Sequence, residues 1–521
     1  MRSSKYTGVK LTKFLIALLL LSLSSLNFSC KKVLDEKSTR LVAEENQWKN
    51  QEDAKAALIG MYALMRTALV ADNTHWLMGD LRQGDFVATN RSDLKAIIDG
   101  KLNASFPTLN RITNWRRFYS VINAASVLIE RSHEIVDNDP RYTAINNRAD
   151  VAQARAVRAF AYFYMVRIWG DVPLLTSSHD GQFSTKPRTS QDRVLGFATS
   201  ELLAAAKILP FRYGSNDPLL PGLYYGGSWA SWCGTVFTKM SAYAVLAHIA
   251  AWQGKYLDCD VYTKFFVDNV TQLNGDGVNV KYVTTNELTE NDGSYSPFVY
   301  KRVQQIIGYA FEYGLGEATA NGHIEQLTLA KPLILKEYPE IFVPKDTIRK
   351  AFTDPKDERF SIDPLTKLYR TNYFTNYISE RPIFSKIKVI GDGQTSGNLA
   401  FFTSAVVFTR LEEVLLLRAE ALAVLGSRNE AISTLNKAAD LRGTSPYTSA
   451  TPIDLIDAIF AERRRELMGE GWRWYDLVRY NKIKRNNPAF NTLISSGGIY
   501  WPVSSDILNA NNQIKQNPYW N

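Results

Sequence analysis

The stretch from Glu462 to Lys482, ERRRELMGEGWRWYDLVRYNK, packs charge and aromatic surface more densely than any other part of this 521-residue chain. Glutamates bracket three consecutive arginines, and Gly469 and Gly471 lead into Trp472, Trp474 and Tyr475. As an active site it would offer carboxylates, but guanidinium neighbours depress a carboxyl pKa and leave a poor general acid. The planar guanidinium fork binds carboxylates bidentately and stacks on rings such as Trp472 or Trp474. Glu462 stands three residues before Arg465, and Arg463 three before Glu466, so local pairing on one helix is expected. The stretch reads as scaffold.

Other chemistries find little support. The five histidines, at 75, 133, 179, 248 and 323, are scattered without zinc-ligand spacing. Gly391, Gly393 and Gly397 miss the dinucleotide fingerprint, and Gly226-Gly227-Ser228-Trp229-Ala230 is one residue short of a nucleophile elbow. Residues 274–279, NGDGVN, resemble a calcium loop in composition but lack the terminal bidentate acid, so a structural calcium is unsupported and no metal ligand is assigned. A glycosidase needs two converging carboxylates, and nothing nominates them. No cofactor and no catalytic residue are expected.

The chain does carry a surplus of rings, with 11 Trp and 26 Tyr against 7 Met. Pyranose C–H faces stack on such rings, and a few polar groups then fix the hydroxyls. Three clusters are the candidates for ligand contact. His75 and Trp76 lie in a loop after the first helix, with Arg82 and Asp85 nearby. Tyr224, Tyr225, Trp229 and Trp232 crowd a glycine-rich loop, and Tyr373 and Tyr377 form the third group. The competing reading is that these rings pin long loops to a frame. Trp115, at a helix start, belongs to the core.

That frame is helical. In the segment around 151–169, Ala154, Val157, Ala161, Tyr164, Met165 and Ile168 share a face, and Gly170 with Pro173 stops the helix. Val414, Leu417, Ala421 and Val424 form another stripe, broken at Gly426. There Ser427 and Glu430 have the spacing of a capping box. Gly426, Ala431 and Ala438 carry the small-residue spacing of a tetratricopeptide unit, as do Gly254 and Cys259. Cys259 is thereby placed in a helix contact, which favours a buried thiol over a disulfide with Cys233. Thr451-Pro452-Ile453-Asp454 has the residues of a helix start. Between about 210–235 and 270–400 the pattern dissolves into Gly, Asn, Asp and aromatics. Loops of that length are usually functional. The fold class is mainly α: tetratricopeptide-like helix pairs forming a frame, with long irregular loops and a few short strands.

The N-terminus adds a compartment. Arg2, Lys5, Lys10 and Lys13 precede a ten-residue apolar run, residues 14–23, too short to span a bilayer comfortably. Leu26 and Ser29 before Cys30 resemble a bacterial lipobox, so residues 1–29 are expected to be a lipoprotein signal peptide and Cys30 the acylated residue. Residues 30–50 then form a lipidated tether and 51–521 a single domain. The four basic residues of the leader leave +5 of the +9 formal charge on the mature chain. Scattered lysines on an exported protein give no reason to expect nucleic acid.

Five segments in order resemble the SusD/RagB outer-membrane nutrient-binding lipoproteins of Bacteroidetes. They are CKKVLDEKS after the leader, ARAVRAFAYFYMVRIWGDVPLL, DERF at 357–360, RLEEVLLLRAEALAVLG, and ERRREL followed by EG-x-RWYDLVR. The terminal segment YWPVSSDILNANNQIKQNPYW also fits, with Tyr500-Trp501 in place of an aliphatic lead-in; the late repeat and this segment span about 405–521. The resemblance implies a non-catalytic protein that captures glycan at the outer membrane. It implies delivery to a SusC-like TonB-dependent transporter, with the lipid anchor holding the protein on the cell exterior. Lys31-Lys32 departs from the acidic residues often found near that point in surface-exported lipoproteins. A peptide or other nutrient binder of the same family is the near alternative. A surface glycoside hydrolase and a tetratricopeptide scaffold for protein partners are the rivals from other classes.

Overall fold

Glycines and caps divide the chain into helices wherever the apolar pattern allows. The structure, a computed structural model, describes residues 47–521 except 179–185, 292, 294 and 394–398. The leader, Cys30 and the tether up to residue 46 lie outside the described residues, as do His179 and Gly397. The longer helices are α1 (Gln51–Val70), α2 (Arg116–Arg131), α3 (Ala144–Trp169), α4 (Gln191–Ile208), α5 (Lys239–Gln253) and α6 (Tyr256–Asn269). After the long loops come α7 (Leu411–Val424), α8 (Arg428–Leu441), α9 (Leu455–Glu466), α10 (Arg473–Lys484) and α11 (Pro488–Ser495). They stack in a running series: α2 on α1 and α3, α4 on α3 and α5, α6 on α5 and α7, and α8 and α9 on α7. The fold is mainly α, built of tetratricopeptide-like pairs.

The small residues act as their spacing predicts. Ala431 and Ala438 are buried against Leu416, Ala419 and Leu435, and Cys259 against Ala247, Ala251, Leu417 and Ala421. Gly254 turns the chain between α5 and α6 at φ 75°, a left-handed conformation that glycine adopts without strain. Cys233 and Cys259 are both free and buried. Helix α3 differs from the one-faced expectation. Residues 156–169 are buried without a break, because α2 and α4 cover it from two sides.

Two caps are not as the sequence suggests. Ser427 precedes α8 without a side-chain cap hydrogen bond, so the Ser427–Glu430 box does not form. Helix α9 begins later than Thr451: Asp454 is its cap and accepts from the amides of Ile456 and Asp457. Thr451 instead closes a turn, its hydroxyl accepting from the Thr448 amide at 2.9 Å.

Among the described residues the strands form five two-stranded sheets. Four of the strands are β1 (Gln305–Tyr309), β2 (Ile390–Asp392), β3 (Phe401–Phe402) and β4 (Val406–Arg410). β1 pairs antiparallel with β4, and β2 with β3. β4 runs straight into α7, which ties the loop region to the late helices.

The charged run of α9 is buried and paired at long range. Glu466 takes both a bidentate grip from Arg442, at 2.7 Å and 2.7 Å, and contacts from Arg410 at 2.9 Å and Arg359 at 3.2 Å. Arg359 also binds Asp357 and Glu462, while Arg410 also binds Glu412 and Glu470. Lys386 closes the set on Glu470. Arg463 does not pair with Glu466; it reaches Glu413 and Asp476, at 2.9 Å and 3.0 Å. Only Glu462–Arg465 keeps the expected local spacing, at 2.5 Å. Despite burial, which alone would raise a carboxyl, the Arg442 and Arg410 guanidiniums hold Glu466 well below its ordinary range.

Removing one partner from such a set strands the rest, at about 3–5 kcal/mol. Glu466→Gln is therefore expected to lower the unfolding free energy by about 3–5 kcal/mol in a denaturant titration. Arg349→Ala, which removes a pair with Asp346 in open solvent, should leave the midpoint in place.

Candidate functional site

The predicted ring clusters are interior. His75 and Trp76 lie on helical turns, residues 74–81, and not in an open loop. His75 bonds the Tyr164 hydroxyl at 2.8 Å and the Glu470 carbonyl at 3.0 Å, and burial pushes its pKa down to about 4. Trp76 is buried edge-on to it. Arg82 lies over the Trp474 ring at 3.8 Å and donates to the carbonyls of Ile499 and Gly498, and Asp85 is held by Arg464.

The second cluster serves Asp150, a buried carboxylate that accepts from the hydroxyls of Tyr142, Tyr224 and Tyr225. Trp229 donates its indole N–H to the Leu273 carbonyl at 2.7 Å, and Trp232 to that of Tyr224 at 2.8 Å. Tyr373 donates to the Glu466 carbonyl, and Tyr377 packs on Phe360 and Tyr369. A ring with both faces covered has none to offer a sugar. Nine of the ten predicted contact residues are buried and the other, Tyr225, is half-buried, so these clusters pin loops to the frame. The calcium-like loop is likewise turn chemistry: the Asn274 side chain accepts from the Val280 amide at 2.7 Å.

Exposed rings are found elsewhere in the long loops. Tyr313, Leu315, Leu399 and Phe401 are 55%, 72%, 71% and 37% exposed. Tyr313 packs over Gly391 of β2, so closely that a Cβ there would stand 2.8 Å from the ring. Asp392, the next residue, pairs with Phe401 of β3. The turn 313–316 closes at Gly316, φ 72°. Glu317 clamps its base, accepting from the Glu312 amide at 2.9 Å and from Arg66 at 2.7 Å, while Arg66 lies over Phe311 at 4.6 Å. Tyr300 bonds Glu312, whose carboxylate joins burial in holding the phenol above its ordinary pKa. The result is an apolar, ring-bearing patch with Lys301, Glu312 and Asp392 along the same loops.

This patch rests on a buried polar floor. His323 contacts Phe311 at 4.7 Å between ring centres and shares Ser404 with Glu325. Glu325 also accepts from the Val389 amide at 3.1 Å. Residues Thr319 and Phe402 bridge the two loops through paired backbone bonds. Sequence reasoning missed Tyr313 and Phe401, although Gly314 and Gly316 follow Tyr313 much as Gly226 and Gly227 follow Tyr224 and Tyr225. Among the described residues no group of three or more His, Cys, Asp or Glu converges as a metal-ligand set.

The SusD family model matches residues 384–520. A SusD superfamily protein from Bacteroides thetaiotaomicron is 48% identical and superposes with a TM-score of 0.82, over 91% of this chain and 100% of that one. A SusD homolog from the same organism shares the fold at 24% identity and a TM-score of 0.73, over 91% and 99% of the two chains. The SusD-like protein P38 of Formosa agariphila is 27% identical over 99% of this chain and 100% of its own. The chain belongs to the SusD family. Its function at family level is non-catalytic binding and delivery.

Burial pushes the Glu325 carboxyl up to about 7. The folded protein then holds a proton that the unfolded chain releases above about pH 4.3. Stability from this group is full below that pH and is lost as pH rises toward about 7. Glu325→Gln removes the slope, so thermal midpoints of wild type should fall relative to the variant between pH 5 and pH 7.

Proposed function

We propose that this protein is a lipoprotein that captures glycan at the outer membrane and passes it to a SusC-like TonB-dependent transporter. In this reading residues 1–29 are a signal peptide, Cys30 carries the acyl anchor, 30–50 form a tether, and 51–521 are one binding domain facing the cell exterior. The observation that carries it is the exposed Tyr313–Phe401 patch on a rigid frame, in a chain whose conspicuous charged groups are buried and neutralised. Family membership supports binding without catalysis. The patch supports sugar: two exposed rings, apolar neighbours, and carboxylate and ammonium groups within the same loops to take hydroxyl hydrogen bonds.

The test is calorimetric titration of the mature chain after Cys30 with neutral and acidic polysaccharides and with peptides. Heat with one glycan class and no product is expected. The double variant Tyr313→Ala/Phe401→Ala should weaken that binding by about tenfold or more, which corresponds to about 1.4 kcal/mol. Heat with peptides alone would replace glycan with the family's other nutrients, and undiminished affinity in the double variant would move the site.

Anchoring is tested separately. Cys30→Ser is expected to abolish labelling by radioactive palmitate and to release the protein from the membrane fraction. Retention of both would overturn the lipidation.

A further inference from the structure

A cavity of about 990 Å³ lies far along the chain from the patch residues, where the end of α5, the start of α4, the end of α10 and α11 meet. That volume is at the upper end for small-molecule sites. Its walls include Gln191, Asp192, Trp252, Lys482, Arg485 and Tyr500.

The charges along the wall are unbalanced. Arg479 also lines the cavity, but its guanidinium is taken up by Glu420 and Asp476, at 2.9 Å and 2.8 Å. Lys482 has no such partner among the described residues. Its Nζ donates to the Trp252 carbonyl at 3.1 Å and stands 4.3 Å from the Trp252 ring centre, leaving donor capacity unused. Burial pushes its pKa down to about 8, and Asp192, beyond ion-pair distance, is the carboxylate that acts against that fall. Arg485 spends its Nε on the Lys482 carbonyl and keeps the rest of an exposed guanidinium. The wall therefore holds two uncompensated cations against one acid.

Two helix C-termini at a cavity would ordinarily repel an anion. Here several of those carbonyls are already engaged. Ala250 and Ala251 of α5 accept from Gly254, Trp252 accepts from Lys482, and Asn481 of α10 accepts from Arg485. Neutral donors complete the wall. The Tyr500 hydroxyl donates to Gln191 Oε1 at 2.6 Å, which leaves the Gln191 amide N–H₂ to donate, and the Trp252 indole N–H is buried without an acceptor.

We propose that this cavity is a second binding site, separate from the Tyr313–Phe401 patch, that takes a carboxylate-bearing sugar, with Lys482 as the group that meets the carboxylate. Gln191 and Tyr500 serve the hydroxyls, and the aliphatic side chains of Leu195 and Ile494 floor the ring.

Digalacturonate and its uncharged counterpart galactobiose test the idea by calorimetry on the mature chain at low salt. Digalacturonate is expected to bind at least about tenfold tighter than galactobiose. Lys482→Met should erase the difference. Asp192→Asn, an exposed change that removes the opposing charge, should strengthen digalacturonate about two- to fivefold, a gain that loss of structure would not produce. The Tyr313→Ala/Phe401→Ala variant should leave this binding unchanged. Absence of binding, equal affinity for the two disaccharides, or discrimination that survives Lys482→Met would overturn the proposal. So would its loss in the patch variant. Should Lys482→Met fail to fold, Asp192→Asn decides: no strengthening means no carboxylate in this cavity.

Discussion

Glu466 has almost no contact with solvent, yet Arg442, Arg410 and Arg359 all converge on it. Placing an ionised carboxylate in the interior is costly unless its oxygens are paired or hydrogen-bonded, and here guanidiniums meet both oxygens of Glu466. The partners come from separate parts of the chain: Arg359 from the long loops, Arg410 from the end of β4, Arg442 from the end of α8, and Glu466 from α9. A shift of any one segment would leave charges stranded in a low-dielectric interior. The set therefore ties these four segments to one another.

The long loops are positioned by the same interaction. Lys386 donates to the carbonyls of Glu466 and Met468, and Tyr373 reaches the Glu466 carbonyl, so the 357–386 segment is bolted to the α9–α10 turn. Gly471 in that turn packs against the His75 ring and donates to Asp80, which brings in the segment after α1. The excursions that look unstructured by composition are thus held at several points.

The helical frame was legible because it depends on local signals: apolar periodicity, glycines at turns, and small residues where helices touch. Gly254, Ala431 and Cys259 do what their spacing says. The charged run was legible only in kind. A structural role and pairing could be expected, but Arg463 finds Glu413 and Asp476 because tertiary approach brings closer partners than its own helix does. The ring clusters failed for a related reason. Trp229 and Trp232 look like a binding loop in sequence, but each indole N–H has a carbonyl to satisfy inside the fold, and composition does not separate an anchored ring from an open one. The Ser427 box failed because the backbone there turns away from cap geometry. Asp454, two residues past a proline, outcompetes Thr451 as the cap of α9.

What distinguishes Tyr313 from Trp229 is therefore the support around it rather than its residue type. A sugar gains little free energy from one ring, so affinity depends on how much order is already present before binding. At Tyr313 that order comes from three sides. Gly391 admits the ring where any side chain would push it away, Glu317 fixes the turn through Glu312 and Arg66, and Arg66 in turn lies over Phe311, which packs on His323. Both faces of Trp229 are spent on stability. Tyr313 is exposed yet packs over Gly391 beside a clamped turn, and a ring held in this way loses less conformational freedom on stacking against a ligand than an unsupported one would.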